Sequence, residues 1–256
     1  MAQPSRLAVG AATFVALIAL WYVATTLTQV IPPVYFPTPA EVLRALRQIW
    51  VQGYADGRLY QHFLHSCWLV LLGFAVAVGI GVPLGMLMGW SRRAEAAINP
   101  VFLLLRPIPP LAWIPLAIVW LGLGDAAKVL VIWFAAFVPA VINSYAGVRS
   151  IEPHLIEAAR TLGVRRATFV REVLIPGALP LIFTGLRLSL QACWTTLVAG
   201  ELIGAIVGLG HVLYQAGLDI FPAMIVVGMI SVAVAGGLMT AALGWIETRA
   251  MPWRAR

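Results

Sequence analysis

The sequence predicts an all-α integral membrane protein with about six transmembrane helices. Of its 256 residues, 61% are hydrophobic and 11% charged, and the mean hydropathy is +0.92. A soluble domain carries about a quarter charged residues, so this chain cannot form an ordinary water-facing surface. The 17 Lys and Arg exceed the 10 Asp and Glu but are spread between apolar runs, which argues against nucleic-acid binding.

Six apolar stretches are long enough to cross a bilayer, which requires about 20 residues. They are predicted near Leu7–Leu27, Leu64–Trp90, Asn99–Leu121, Ala126–Ala146, Leu179–Val207 and Pro222–Trp245. With the N-terminus in the cytoplasm, most arginines between these stretches lie on the cytoplasmic side, so both termini are predicted to be cytoplasmic. The first stretch is longer than the apolar core of a signal peptide and is interpreted as a retained span.

A helix is predicted between the first two spans, outside the membrane. Thr38 has the properties of its N-cap, Pro39 of its first residue and Glu41 of the capping-box partner. Apolar residues recur at helical spacing in the following turns, so the helix either lies in the outer interface or contacts a soluble partner. We therefore divide the chain into residues 1–62, with the first span and this helix, and a core domain, residues 63–256.

Two glycine ladders lie in the predicted second and fifth spans. Glycine at every fourth position leaves one helix face without side chains, which lets another backbone approach closely. Tight helix packing is the simpler interpretation, and sliding between halves of the molecule is the functional one. The ladder residues are Gly81, Gly85 and Gly89, and Gly200, Gly204 and Gly208.

The third span contains the prolines Pro107, Pro109, Pro110 and Pro115, each of which lacks a backbone donor. No straight helix is expected through this stretch. Broken backbone inside a membrane is tolerated only against protein or a wet cavity, so the stretch is expected to face the interior of the helix bundle.

The cytoplasmic segment 149–180 is the longest stretch that is not needed for spanning. Pro153 is suited to the start of a short helix, and Gly163 to a left-handed cap at its end. A second amphipathic helix is expected from Arg165, with Pro176 and Gly177 closing it. Such a helix-turn-helix tip suits insertion into a groove on another protein.

This segment resembles the cytoplasmic signature of permease subunits of binding-protein-dependent ABC importers. The signature is Glu-Ala-Ala, three residues, Gly, nine residues and Ile-x-Leu-Pro. Glu157, Ala158, Ala159 and Gly163 match it at the family spacing, and Val173-Leu-Ile-Pro176 departs from it only by aliphatic replacements. The stretch from Arg106 to Asp125 is similar to the nitrate, sulfonate and taurine branch, and most similar to taurine permeases.

The resemblance implies a type I ABC importer permease fold in the bacterial inner membrane, with a coupling helix seated in a cytoplasmic ATPase. It implies a second copy of the permease, two ATP-binding subunits that hold ATP and Mg, and a periplasmic or lipid-anchored solute-binding protein. The residues expected at the ATPase contact are Glu157, Ala158, Ala159, Arg160, Leu162, Gly163, Arg166 and Pro176. The solute implied is a small organic or inorganic anion such as taurine or another sulfonate.

No catalytic constellation is recognisable, so the chain is not expected to be an enzyme or to hold a cofactor. A P-loop needs a glycine-rich stretch before a lysine, but Lys128 follows two alanines. Of the four histidines, only His62 and His65 share a helical face, and no metal site is expected. Cys67 and Cys193 are interpreted as core residues.

Polar or aromatic side chains inside apolar runs are the candidates for the translocation pathway, because such groups are costly in lipid. They are Trp113, Asn143, Gln191, Thr195 and Glu201. Glu201 is expected to form a subunit contact or a gate, and Arg187 to extend toward the cytoplasmic interface. The alternatives are a secondary transporter driven by an ion gradient, or an ABC importer of nitrate, an aromatic carboxylate or a thiamine precursor.

Overall fold

The computed structural model describes residues 6–28, 30–32, 35–204 and 206–254, although not the side chains of 6, 7, 160, 202–204 and 254. The described residues form helices joined by turns. The long helices are α1 (Arg6–Tyr22), α3 (Leu59–Trp90), α6 (Asp125–Arg149), α9 (Ile175–Gly204) and α11 (Pro222–Ala250). The shorter ones are α2 (Pro39–Val51), α4 (Arg92–Leu105), α5 (Ile114–Leu121), α7 (Pro153–Thr161), α8 (Arg166–Phe169) and α10 (Leu209–Leu218).

The structure contains five helices that are long and apolar enough to cross a membrane among the described residues, and a sixth crossing if the bent α4–α5 pair is one span. This agrees with the predicted number. Ion pairs and hydrogen bonds fix which ends of the helices lie together. Nε2 of His65 near the start of α3 lies 3.3 Å from Oδ1 of Asp125 at the start of α6, whereas Glu95 in α4 pairs with Arg149 at the end of α6.

The helix outside the spans is confirmed, with its predicted cap. Thr38 Oγ1 accepts a hydrogen bond from the Glu41 N–H at 3.3 Å, and Glu41 Oε2 accepts one from the Thr38 N–H at 2.8 Å. Val42, Ala45 and Ile49 are buried in the same apolar core as residues of α3, α9 and α11. One face of α2 is thus fixed on the bundle.

The third span is broken, as its prolines predict. The segments Arg92–Leu105 and Pro110–Leu121 meet at an angle of 83°. The expectation that the break faces the interior is wrong for the single chain, because residues 103–109 are exposed. The reason is that α5 packs on α6 only beyond the break, through Ile114 and Ala117, so the proline turn itself stays outside the core.

The first glycine ladder lies where α3 crosses α6. A Cβ at Gly81 would lie 3.0 Å from the Cβ of Ala140, and one at Gly89 would lie 2.7 Å from the Cβ of Val148. A Cβ at Gly85 would overlap the carbonyl oxygen of Val141. The two backbones are therefore close enough that only glycine fits at these positions.

The second ladder does not form one helix face. The helix ends at Gly204, so Gly208 lies beyond it, in the turn before α10. A Cβ at Gly200 would meet no atom within 4 Å, and the surroundings of Gly204 lie outside the described residues. The four-residue spacing of these glycines gives no helix packing because the chain leaves the helix between them.

The prediction that Pro176 and Gly177 end a separate second helix is also wrong. The chain continues from α8 through a five-residue π-helical turn, Val170–Leu174, directly into α9, and the whole of Arg166–Glu201 can span. A proline removes one helical hydrogen bond and clashes with the carbonyl four residues earlier. The wider π turn just before Pro176 accommodates that carbonyl, so the helix is not interrupted.

Candidate functional site

Helix α7 is the first candidate surface, at the end of the bundle where α6 finishes. Ala159 is buried with Ile151 and Phe169, whereas Leu155 and Leu162 are 54% and 80% exposed. Glu157 and Ala158 are exposed as well. The helix is thus attached to the bundle by one face and presents an uncovered, partly apolar face to its surroundings.

Gly163 ends this helix in a left-handed conformation, with φ of +65°. The Val164 N–H donates to the carbonyl of Ala159 at 3.1 Å, which is the long bond of a Schellman cap. Arg165 and Arg166 follow as exposed cations, and Phe169 then packs against Trp90 with the rings tilted by 36° and their centres 4.9 Å apart. This contact holds the returning chain against the end of α3.

Pro176 and Arg160 differ from the other predicted contact residues in this region. Pro176 is half-buried in the continuous helix beyond the π turn, away from the exposed tip of α7. The side chain of Arg160 lies outside the described residues.

A groove between α9 and α11 is the second candidate surface, with a volume of about 550 Å³. Gln191 and Thr195 are both exposed along it, two of the five predicted pathway residues. Thr195 Oγ1 donates to the carbonyl of Gln191 at 2.9 Å, and the Trp194 ring lies between them in sequence and is 6% exposed. Polar groups are thus uncovered on a helix that is apolar enough to span.

Two further predicted pathway residues, one just before α5 and one in α6, are involved in packing. Trp113 is half-buried and stacks on Phe134 with the ring centres 4.3 Å apart. Asn143 Nδ2 donates to the carbonyl of Pro139 at 2.9 Å, and its Cβ would lie 2.5 Å from a Cβ at Gly185 of α9. Neither residue lines the groove between α9 and α11.

Glu201 is not placed as predicted, because its side chain is fully buried within the single chain. Its Oε1 accepts a hydrogen bond from Ser66 Oγ at 2.8 Å, and its Oε2 accepts one from the Gly210 N–H at 2.7 Å. The carboxylate ties α9 to α3 and to the start of α10, so it lines no pathway in this conformation. Sequence reasoning could not find these partners, which lie up to 135 residues away.

His62 completes this buried cluster. The ring Nδ1 accepts a hydrogen bond from the Gly208 N–H at 3.0 Å, and Ser66 Oγ accepts one from the Leu209 N–H at 2.9 Å. Three consecutive N–H groups at the start of α10 are therefore satisfied by side chains of α3 and α9. The only sequence signal was an acidic residue inside an apolar run just before closely spaced glycines.

Replacing Glu201 with alanine is expected to lower the free energy of unfolding by about 2 to 4 kcal/mol, because two buried donors lose their acceptor. Glu201→Gln keeps one oxygen that can accept from one of the two donors, so it should lower the free energy of unfolding less than Glu201→Ala does. Thermal unfolding of the purified protein in detergent measures the difference. Ser231→Ala is the control, since that buried hydroxyl bonds only to Val227 of its own helix. Equal unfolding midpoints for Glu201→Ala and Ser231→Ala would contradict the role of Glu201 as a buried clamp that holds α10.

A third feature lies at the end of the bundle that carries Glu201. Tyr54 Oη donates to Asp219 at 2.5 Å, joining the loop after α2 to the turn after α10. Burial, together with the Asp219 carboxylate, raises the pKa of Tyr54, so the phenol remains a donor in alkaline solution. Ala55, Asp56 and Ile220 in the two loops have left-handed backbones.

The sequence matches a family model described as the binding-protein-dependent transport system inner membrane component, over residues 81–252. The chain belongs to this family. It is therefore a multi-pass ABC transporter permease subunit of an inner-membrane system, and it is not itself an enzyme. The sequence-based assignment to this family and to an all-α fold is confirmed.

Relatives of the permease have names that indicate several solutes. It is 38% identical to the taurine transport system permease protein TauC of Escherichia coli strain K12 over 242 residues, covering 94% of this chain and 88% of that one. It is 33% identical to the putative aliphatic sulfonates transport permease protein SsuC of Bacillus subtilis strain 168, covering 93% and 84%. The bicarbonate transport system permease protein CmpB of Synechococcus elongatus is 33% identical, with 77% and 71% covered.

A solved structure supports the fold. The permease superposes on a chain of the MetNI methionine ABC transporter, in an inward-facing conformation, with a TM-score of 0.60 and 23% sequence identity. The match covers 72% of the permease and 95% of that chain.

Proposed function

We propose that this permease forms the membrane channel of an ATP-driven importer for a small anion, with taurine or another sulfonate as the first candidate solute. The observation that carries the proposal is the 38% identity to a taurine permease over 94% of the chain. The relatives named for aliphatic sulfonates and bicarbonate support an anionic solute more broadly. ATP and Mg would be held by the partner ATPase subunits.

Helix α7 would be the coupling helix. Its exposed Glu157 and Ala158, together with Leu162 just after the helix, would contact a cleft of the ATPase, while Ala159 holds the helix to the bundle. An apolar helix face exposed at the end of the bundle is a surface of the kind that inserts into a hydrophobic groove. Closure of the ATP-bound subunits would then move α7 together with the continuous helix that follows it.

A second copy of the permease would cover the polar face of α9. Thr184, Gln191 and Thr195 are exposed on a helix that can span, and lipid offers them no hydrogen-bond partners. A pathway between two copies would give them water and solute instead. Trp113 and Asn143 would contribute only by supporting the helices around it.

The importer is tested by co-purification and transport with its cognate ATPase and solute-binding protein. We expect the ATPase to co-purify with the permease and to be lost when Glu157 is replaced by arginine. In proteoliposomes, uptake of labelled taurine should require ATP and the binding protein, and alanine variants of Gln191 and Thr195 should carry less. Uptake that follows an ion gradient without ATP would favour a secondary transporter.

Solute retention by the binding protein distinguishes the importer alternatives. A preference for taurine or ethanesulfonate would support the first candidate, whereas retention of bicarbonate, nitrate, an aromatic carboxylate or a thiamine precursor would replace it.

Both termini and α7 would lie in the cytoplasm. We expect a membrane-impermeant maleimide to label Leu218→Cys, at the opposite end of the bundle, in intact cells. Leu162→Cys should react only after the membrane is permeabilised, although both residues are well exposed. The parent variant lacks Cys67 and Cys193, and labelling of Leu162→Cys in intact cells would reverse the orientation.

A further inference from the structure

Arg187 gives the groove between α9 and α11 a cationic group within a span. The groove is otherwise lined by apolar, glycine and uncharged polar residues, so Arg187 is the single ionisable residue among those that line it in the described part of the chain. The lining residues are Arg187, Leu188, Gln191, Trp194, Thr195, Val198, Val232, Ala233, Gly236, Gly237 and Thr240.

The position of Arg187 within the bundle follows from a neighbouring contact. Ser189 Oγ donates to the carbonyl of Ala136 at 2.7 Å, and Ala136 lies near the middle of α6. The helical rise places Arg187 about 3 Å from Ser189 along the axis, toward the end of the bundle that carries α7. The Arg187 backbone thus lies near the middle of the bundle, and its side chain extends toward the α7 end, where Glu247 stands three residues before the end of α11.

Glu247 of α11 is the counter-ion of Arg187. The two side chains form an ion pair, but the carboxylate is 15% exposed while the arginine is 52% exposed. A guanidinium has five N–H donors, and the bond to Glu247 uses the Nη2 group. The pair therefore offsets the cost of a charge in the membrane while leaving the open side of the guanidinium available to a second anion.

Other donors lie along the same groove. The Gln191 side chain is exposed to it one helical turn from Arg187. The Trp194 ring also borders the groove beside Gly236, but its Nε1 is buried and does not face the open space. The exposed guanidinium and amide N–H groups favour a solute that carries an anionic group over a cation.

We infer that this groove is an anion-binding station, in which Arg187 receives the carboxylate or sulfonate oxygens of the transported solute while it remains paired with Glu247. The inference rests on the proposed importer function and names the substrate class of its pathway. A planar guanidinium fits two oxygens of one anion, which a point charge does not. Because no second charged residue lines the groove in the described part of the chain, one cation alone holds the anion, and binding stays weak, as a site on a conduction path requires.

The test uses the full importer in proteoliposomes, with taurine, ethanesulfonate and bicarbonate as probes. We expect Arg187→Gln to reduce uptake of the transported anion 10- to 100-fold, which corresponds to about 1.4 to 2.8 kcal/mol. Stimulation of ATP hydrolysis by the binding protein should stay within twofold of wild type. Arg187→Lys keeps the charge and should retain more uptake than Arg187→Gln, and Arg47→Gln on α2 is the control outside the groove.

Glu247→Gln separates an anion station from a structural ion pair. Both single variants break the pair, so a purely structural role predicts that each variant lowers both uptake and thermal stability. The anion station predicts a loss for Arg187→Gln alone, since Glu247→Gln leaves the cation in place. Equal losses, or wild-type uptake by Arg187→Gln, would overturn the inference.

The wild-type complex distinguishes failure of the inference from failure of the importer proposal. ATP-coupled uptake of a solute without an anionic group, and of none of the three probes, would overturn the anion station but leave the importer intact. Uptake of an anion that depends on Arg187 but not on ATP would overturn the importer and support the station.

Discussion

Gly163→Val is expected to lower ATP-driven uptake more than tenfold without unfolding the permease. The reason is the left-handed backbone, φ of +65°, that lets the chain reverse after α7. A side chain in this conformation costs about 1 to 2 kcal/mol, and a β-branched one is a clear outlier there. The turn should then rearrange and move the exposed Leu162 face away from the ATPase.

ATP hydrolysis and uptake by the reconstituted complex measure this effect, with two matched variants. Gly163→Asn should retain more activity, because asparagine tolerates the left-handed region. Gly79→Val adds the same side chain to a helical glycine whose Cβ would meet no atom within 4 Å, and it should transport normally. If Gly163→Val coupled ATP hydrolysis to uptake as well as the wild type does, the turn at Gly163 would not be needed for the proposed coupling helix.

Gly85→Leu is expected to prevent folding of the bundle. A Cβ at this position would overlap the carbonyl oxygen of Val141 and lie 2.9 Å from the Cβ of Ser144. Both contacts are with α6 itself, and the same crossing is close at Gly81 and Gly89, so no small shift relieves them. Overpacking of this kind costs about 3 kcal/mol or more, a large part of the stability of a typical domain.

The yield of monodisperse protein in mild detergent and its unfolding midpoint test this expectation. Gly79→Leu, six residues earlier on α3, is the control, because its Cβ enters open space. A similar yield and midpoint for the two variants would show that α3 and α6 separate easily. That result would favour the alternative interpretation of the ladder, in which it permits sliding.

Local patterns predicted much of the fold. The capping box at Thr38 and Glu41 needs only residues three apart, so α2 and its start were visible in the sequence. The short α7 and the reversal at Gly163 are equally local. The break of the third span follows from prolines that cannot complete a helix.

Predictions based on local patterns failed where neighbouring elements decide the outcome. Pro176 was predicted to end a helix, but the helix continues through the π turn before it into a segment that is long and apolar enough to span a membrane. Glycines at every fourth position give packing in α3, where α6 lies against them. The same spacing from Gly200 to Gly208 does not, because the helix ends between them.

Composition, apolar segment lengths and the short signature from Glu157 to Pro176 thus determined the class of protein, the number of spans and the family. Each of these properties depends on continuous stretches of chain and on whether they prefer lipid or water, so the sequence is enough to predict it. The tertiary structure alone decided that Glu201 is a buried clamp on α10 and that Arg187 pairs with Glu247 across an open groove. Both depend on groups brought together from distant positions, which no local spacing encodes.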